Sequence, residues 1–275
     1  MRLTERDLDV IEAVHYYRVL KQNQLEALFF GSRATAQFRL EKLYDHGFLD
    51  RKFLPVALGA GRSPTLYVLD RRGAELLRAE RGYDNLTFYH TSKDLSAQFL
   101  DHTLAINDIM VAVVCGCRRH GFQLEIWRGE NQIKGDYDRV TIRGPNRLEE
   151  APILPDSYFT VVAQQRRHHF FLEVDRGTMP SARFRVKVLA YLAYHRSGGY
   201  ERRYGTQSLR ILTVVPGEKR LAQLQQATEA AGGNNRFWFT TAEYMTETAI
   251  LTAPVWQLAR TEGRRALFEV DSSSP

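Results

Sequence analysis

Three acidic residues stand where phosphodiester chemistry would need them. Pro155-Asp156 opens one apolar segment, and a second, Phe170-Phe171-Leu172, runs into Glu173-Val174-Asp175. Side chains alternate along a strand, so Glu173 and Asp175 share a face. If the two segments pair, Asp156 joins them at one sheet edge. Carboxylates gathered in this way repel one another unless a cation or a proton relieves them. Oxygen ligands on a partly open site suit Mg²⁺ or Mn²⁺, so Asp156, Glu173 and Asp175 are the candidate metal ligands. Acidic residues at strand ends also serve as solvated groups or helix caps, and that reading stands beside the first.

The elements needed to position these acids follow from periodicity. A long helix is expected over residues 95–120 and a strand over 124–128. Residues 129–151 read as a loop with a short strand at 139–142. Strands are expected at 153–162 and 168–175, joined by a turn at 164–167. A helix at 180–195, a strand at 209–215, a helix at 217–231 and a strand at 236–239 complete a domain spanning 84–240. The order is α-β-β-β-α-β with an added α-β, a mixed α/β fold. Residues 241–275 read as a weakly structured tail, and 82–94 as a linker. On the 180–195 helix, Lys187 and Tyr191 are four apart and share a face with Tyr194. Beside them runs the apolar stripe Val186, Leu189, Ala190 and Ala193, expected to pack on the sheet.

Residues 1–83 have a different pattern. Thr4 caps a helix carrying Leu8, Ile11 and Val14 at helical spacing. A short second helix covers 23–30. Ser32 caps a third, roughly 33–46, whose core stripe is Ala36, Leu40 and Leu43. Two strands follow, 48–53 and 65–69, around a Gly/Arg tip that contains Arg62. Three helices and a hairpin make a winged helix-turn-helix, in which the third helix enters the major groove and the wing reaches the backbone. Arg33, Thr35, Arg39 and Lys42 lie off the core stripe and are the candidate DNA contacts, with Arg62 on the wing. Phe38 is also off the stripe and is expected to pack against a neighbour.

Charge adds a second line of argument. The net charge of +6 is concentrated in residues 163–205, which hold nine basic and three acidic side chains. Arg176 and Arg183 are among them and join the candidate DNA contacts, because cations around a carboxylate site suit a polyanionic substrate.

The acid on one strand and Glu-x-acid on the next resemble the PD-(D/E)xK nuclease superfamily. One position departs from its pattern: Asp175 stands where that family carries the lysine that orients or activates water. In one branch of the superfamily a Gln-x-x-x-Tyr pair occupies the following helix, and some members move the lysine there. Lys187-x-x-x-Tyr191 resembles such a migration. The resemblance implies Lys187 and Tyr191 as catalytic partners of Asp156, Glu173 and Asp175.

A longer match extends over most of the chain. It comprises the winged helix, Leu100-Asp101-His102-Thr103-Leu104-Ala105-Ile106-Asn107-Asp108, Trp127, Pro155-Asp156, Glu173-Val174-Asp175-Arg176-Gly177-Thr178 and Lys187-x-x-x-Tyr191. This resembles the replication-relaxation family of plasmids and other mobile elements. It implies a DNA-acting protein of element replication or transfer, with DNA and other replication or transfer proteins as partners. Two functions remain open: a metal-dependent nickase or endonuclease, and a non-enzymatic DNA-binding regulator or recruitment factor whose nuclease fold is inactive, which Asp175 in place of lysine favours.

Composition excludes other classes. With 275 residues and 44 % hydrophobic content, the chain can form two cores. No uninterrupted apolar run approaches the ~20 residues of a membrane span, and the N-terminus lacks a signal-peptide core. Cys115 and Cys117 are the only cysteines. Residues two apart point apart on a helix, and two thiolates are too few for structural zinc, so both read as core thiols in a reducing cytoplasm. There is no glycine-rich phosphate loop, and no His-x-His motif supports a tyrosine relaxase.

Overall fold

Thr4 begins the first helix in a reciprocal cap. In the computed structural model, which describes residues 1–53, 63–83, 86, 97–144 and 147–269, α1 spans Glu5–Tyr17. The Asp7 carboxylate, three residues in, accepts from both Thr4 N and Thr4 Oγ1 at 2.6 Å. A two-residue strand β1 (Leu20–Lys21) leads into α2 (Gln22–Phe29), and α3 (Arg33–Asp45) begins where Thr35 N donates to Ser32 Oγ. Then come β2 (Leu49–Phe53), β3 (Thr65–Leu69) and α4 (Arg71–Arg81). The strands form an antiparallel sheet in the order β1-β3-β2. Val10, Ile11, Val14, Leu25, Ala36, Leu40 and Leu43 are all fully buried, as the helical spacings require. A Cβ at Gly73 would sit 2.2 Å from the Phe48 carbonyl oxygen, so only glycine lets α4 start this close to the β2 approach. Arg62 and the rest of the tip lie outside the described residues.

The chain divides into two compact units, Met1–Val111 and Ala112–Pro275, whereas the sequence suggested a boundary near 83/84. Helix α5 (Ala97–His120) accounts for the difference. Its Leu100 and Leu104 pack with Val19, Leu66 and Val68 in the first unit. Asn107 Nδ2 donates to Val19 O at 2.7 Å, and Asp108 accepts from Lys21 Nζ at 2.6 Å and Gln24 Nε2 at 2.8 Å. The stretch Phe99–His120 is, by length and composition alone, enough to cross a bilayer. Reading for an uninterrupted apolar run misses it because Asp101, His102, Asn107 and Asp108 break the run. Its Leu104, Ile109, Met110, Val113 and Cys117 are nonetheless buried within the protein.

The second unit is built on a seven-stranded mixed sheet. Its strands are β4 (Gln123–Gly129), β7 (Ser157–Ala163), β8 (Arg166–Val174), β9 (Arg210–Val215), β10 (Phe237–Thr241), β11 (Trp256–Leu258) and β12 (Arg264–Arg265). The spatial order is β12-β11-β10-β9-β8-β7-β4, with β8-β9-β10 parallel and the flanking pairs antiparallel. A tight turn joins β7 to β8, with Gln164 and Gln165 at φ of 50° and 61°, as a two-residue hairpin demands. The parallel pairs need crossovers, supplied by α7 (Ser181–Arg196) and α9 (Glu218–Ala230). These two helices pack on each other, and α7 also packs on a separate hairpin, β5 (Arg139–Arg143) with β6 (Leu148–Pro152).

Three expectations need correction here. Residues 129–151 are more than a loop, since α6 (Glu130–Gly135) and the β5–β6 hairpin occupy them. Residues 241–269 are no loose tail: β11 and β12 extend the sheet, and Ile250, Leu251, Trp256, Leu267 and Phe268 are buried. Short strands with few alternating positions carry little periodic signal, which is why they escape a sequence reading. Val186 does not face the sheet but is 44 % exposed, while Phe184, Val188, Tyr191 and Tyr194 are buried. The buried side of α7 is therefore aromatic, with Lys187 inside its margin.

Candidate active site

The β7–β8 hairpin brings the start of one strand beside the end of the next. Ser157 is opposite Leu172, and Asp156 N donates to Leu172 O at 2.9 Å. The Asp156 side chain then closes the edge, with Oδ2 accepting from Val174 N at 2.7 Å. Glu173 lies between these partners and is buried. Helix α7 crosses above it. Lys187 Nζ donates to Glu173 Oε2 at 2.5 Å and to Leu154 O at 3.3 Å, and the Tyr191 hydroxyl donates to Glu173 Oε1. The i, i+4 spacing delivers both donors to one carboxylate, one to each oxygen.

Burial pushes the Glu173 carboxyl up to about 7, and the nearby Asp156 carboxylate pushes the same way. The Lys187 ammonium and the Tyr191 hydroxyl pull against them. Burial opposes the charge on Lys187, but Glu173 and Asp156 outweigh it and raise the pKa of the ammonium, while Arg183, one turn away, weakens it. Tyr191 is held neutral by burial and by the carboxylate it faces. The result is a buried acid poised near neutrality beside a fixed cation and a second carboxylate, an arrangement common where protons must move.

Asp175 goes elsewhere. Its N–H bonds Val214 O, and its Oδ2 accepts from Arg220 Nε on α9, while Arg220 Nη2 also holds Met179 O. Asp175 Oδ1 is buried and has no hydrogen-bond partner among the described residues; the same is true of Thr213 Oγ1, on the residue registered beside Glu173. Among the described residues no three His, Cys, Asp or Glu side chains gather as a metal site. The expected three-acid cluster is therefore not assembled: the arginine neutralises Asp175 separately. Sequence alone misses Arg220, which lies 45 residues away on a helix that only the β8-β9-β10 order brings close.

The expected DNA contacts divide similarly. Arg33 and Thr35 are exposed on α3. Phe38 packs against no core: it is 60 % exposed, and Lys42 Nζ stands 5.6 Å from its ring centre. Arg39 is a structural residue. Its Nε donates to Asp7 Oδ1 at 2.6 Å and its Nη2 to Asp7 Oδ2 and Arg2 O, because Asp7 is buried and needs a cation. Arg176 and Arg183 are exposed. Part of the 163–205 positive charge is neutralised locally, Arg167 by Glu125 and Arg203 by Asp136 and Asp138.

Other sequence candidates have structural places. Cys115 and Cys117 are buried free thiols, Cys117 raised to about 12 by burial. His169 Nδ1 bonds the Tyr158 hydroxyl at 2.8 Å, and burial followed by Arg167 lowers its pKa. Trp127 stacks on Phe159 at 4.8 Å. Glu130 pairs with Lys134 on α6.

No curated protein and no solved structure matches the chain. Residues 11–209, which run from within α1 to the residue before β9, match the replication-relaxation family. That match covers most of the sequence and contains Asp156, Glu173, Lys187 and Tyr191: the chain belongs to the replication-relaxation family.

Proposed function

We propose that this protein acts on DNA in the replication or transfer of a plasmid or other mobile element, and that its second unit nicks or cleaves DNA by metal-assisted phosphodiester hydrolysis. The observation that supports this most is the contact of Lys187 with Glu173, beside Asp156 at one sheet edge. A migrated lysine has to reach that place; one turned to solvent would carry no chemistry.

The paired carboxylates fit Mg²⁺ or Mn²⁺ better than the trio does. The Asp156 carboxylate is close enough to raise the proton affinity of Glu173. Mg²⁺ is commonly held by one or two carboxylates together with substrate phosphates. Asp156 and Glu173 would hold the ion, which supplies Lewis acidity and an activated water. Lys187 orients the attacking water and offsets charge on the phosphoryl oxygens, and Tyr191 fixes Glu173. Asp175 keeps the edge in place through Arg220. In the first unit, a winged helix-turn-helix presents Arg33, Thr35 and Lys42 on its third helix to DNA, while Arg176 and Arg183 flank the site as backbone contacts.

One observation favours a second reading. Both Glu173 oxygens already have donors, and Asp175 is neutralised by Arg220. This network is closed without a metal, as an inactive nuclease fold in a DNA-binding regulator would be. Incubating the protein and its Lys187→Ala variant with supercoiled plasmid, in Mn²⁺ or EDTA, separates the two. Nicking by the wild type in Mn²⁺ alone, lost in the variant with DNA affinity retained, is the expected result. A wild type that binds but never nicks leaves the regulator.

A further inference from the structure

Beside the candidate site, along the same aromatic face, a cavity of about 200 Å³ opens between β4, α6, α7 and α8 (Gly199–Tyr204). Tyr158, Tyr204 and Tyr137 line it together with Arg128 and Arg203. The Tyr158 and Tyr204 rings lie 4.5 Å apart, and Tyr204 also packs on Tyr200 at 4.8 Å. Arg203 is fixed by Asp136 and Asp138, and Asp138 also accepts from the Tyr194 hydroxyl. The rings are therefore held from behind, and the cavity does not depend on loose side chains.

A second, more open cleft adjoins it and shares Asp138, Tyr194 and Arg203. Its further cations are Arg139 and Arg202. Arg139 is exposed and lies 5.2 Å over the Tyr137 ring, with its Nη2 on the Tyr137 hydroxyl. The cavity is smaller than the ~300–1,000 Å³ typical of drug-sized ligands, so it suits a single flat ring system. The adjoining cleft adds the planar cations Arg139 and Arg202, and planar guanidinium groups recognise phosphate.

We infer that these two spaces form one nucleotide site, in which a base of a single-stranded DNA segment packs against the half-exposed rings of Tyr204 and Tyr137 and its phosphate lies along Arg139 and Arg202. Phe171 links the cavity to the candidate centre: its ring is 5.7 Å from Tyr204 and 5.5 Å from Tyr191, whose hydroxyl holds Glu173. A strand seated here passes one of its neighbouring phosphodiesters toward Asp156 and Glu173. Stacking is tolerant of sequence, so the site fixes where a strand sits more than which base it carries. This inference rests on the reading that the second unit meets DNA, and it adds a strand preference to that reading.

The test uses a single-stranded 12-mer carrying 2-aminopurine, a duplex of the same length, and the full chain. Binding of the single strand should quench the 2-aminopurine through stacking. Tyr204→Leu should abolish the quench and weaken single-strand binding about 10-fold, in the range expected for one lost base–aromatic stack, while duplex affinity holds. Arg139→Ala, an exposed change that leaves the fold intact, should lower the salt slope of single-strand binding by about one. Unchanged quench and slope in these variants, with wild-type nicking retained, would overturn the nucleotide site and leave the proposed activity standing. A wild type that binds neither DNA removes both. Displacement of the strand by dAMP at the strand's own affinity would assign the site to free nucleotides and overturn the DNA assignment.

Discussion

Glu173 and Asp7 are both buried carboxylates gripped by a cation, yet their protons respond in opposite directions. Burial is the largest influence on each. At Glu173 it prevails and raises the pKa from 4.5 to about 7; at Asp7 the Arg39 and Thr4 hydrogen bonds overcome it and hold the carboxyl low. A raised acid favours the folded state below its unfolded pKa, and that advantage is lost as pH rises through the folded value. Wild-type stability should therefore decline between about pH 4.5 and 7 through this group, and Glu173→Gln should flatten that part of a pH series of thermal melts. If the slope persists in the variant, Glu173 is not the group titrating. Asp7 works the other way, with stability present above the ordinary carboxyl range and lost on acidification through its lowered pKa. Arg39→Ala leaves the buried Asp7 carboxylate without its cation and should cost about 3 kcal/mol, with acid unfolding beginning at higher pH. Chemical denaturation of the two proteins at pH 7 and pH 4 checks both parts, and an Arg39→Ala protein of wild-type stability would return Arg39 to the list of DNA contacts.

At the scale of elements, two helices hold the site through the C-terminal end of one strand. α7 grips Glu173 and α9 grips Asp175, residues two apart on or just beyond β8. Behind the sheet, an aromatic series runs from Trp127 through Phe159 and Phe170 to Phe268, each ring 4.8 to 6.1 Å from the next. The last of these rings, and Trp256 with its indole N–H on Ile250 O at 2.8 Å, belong to the C-terminal segment. Trp256 is fully buried, so Trp256→Ala should destabilise the second unit by about 3–5 kcal/mol. A melt of the full chain is the measurement; a shift of under 1 °C would mean that β11 is dispensable. The same segment supplies the outer strands beyond β10, so its loss would also uncover a sheet edge.

For the whole molecule, the net +6 overstates the charge free to meet DNA. Arg39, Arg167, Arg203 and Arg220 are each committed to an acidic partner. On α3, the exposed side chain of Arg33 and the half-buried Lys42 are the cations that the proposed DNA docking would use. Replacing both with Ala should weaken duplex binding and reduce the slope of log K against log salt by about one per lost phosphate contact. An unchanged slope in a salt titration would take α3 out of DNA recognition. With Lys187→Ala in the nicking assay, this pair of variants separates docking from chemistry, because the two sets of residues belong to different compact units.

Local physics made much of this legible from residues alone. Thr4 and Ser32 set helix starts by hydrogen bonding, and the 3.6-residue stripes of α1 and α3 identify their buried sides. Strand alternation and the short hairpin turn place Asp156 opposite the Leu172–Val174 edge, and i, i+4 spacing pairs Lys187 with Tyr191. These depend on neighbours within a few residues, which the sequence displays. The partner of a buried charge does not. Arg220 reaches Asp175, and Arg39 reaches Asp7, across distances in sequence that only packing closes. A carboxylate that looks like a metal ligand by type is therefore reassigned once a buried cation takes it. Val186 is turned outward for the same reason: which side of α7 is buried is decided by the aromatic face it meets and not by its own apolar stripe. The C-terminal strands are likewise too short to announce themselves, and become strands only because β10 offers an edge to pair with.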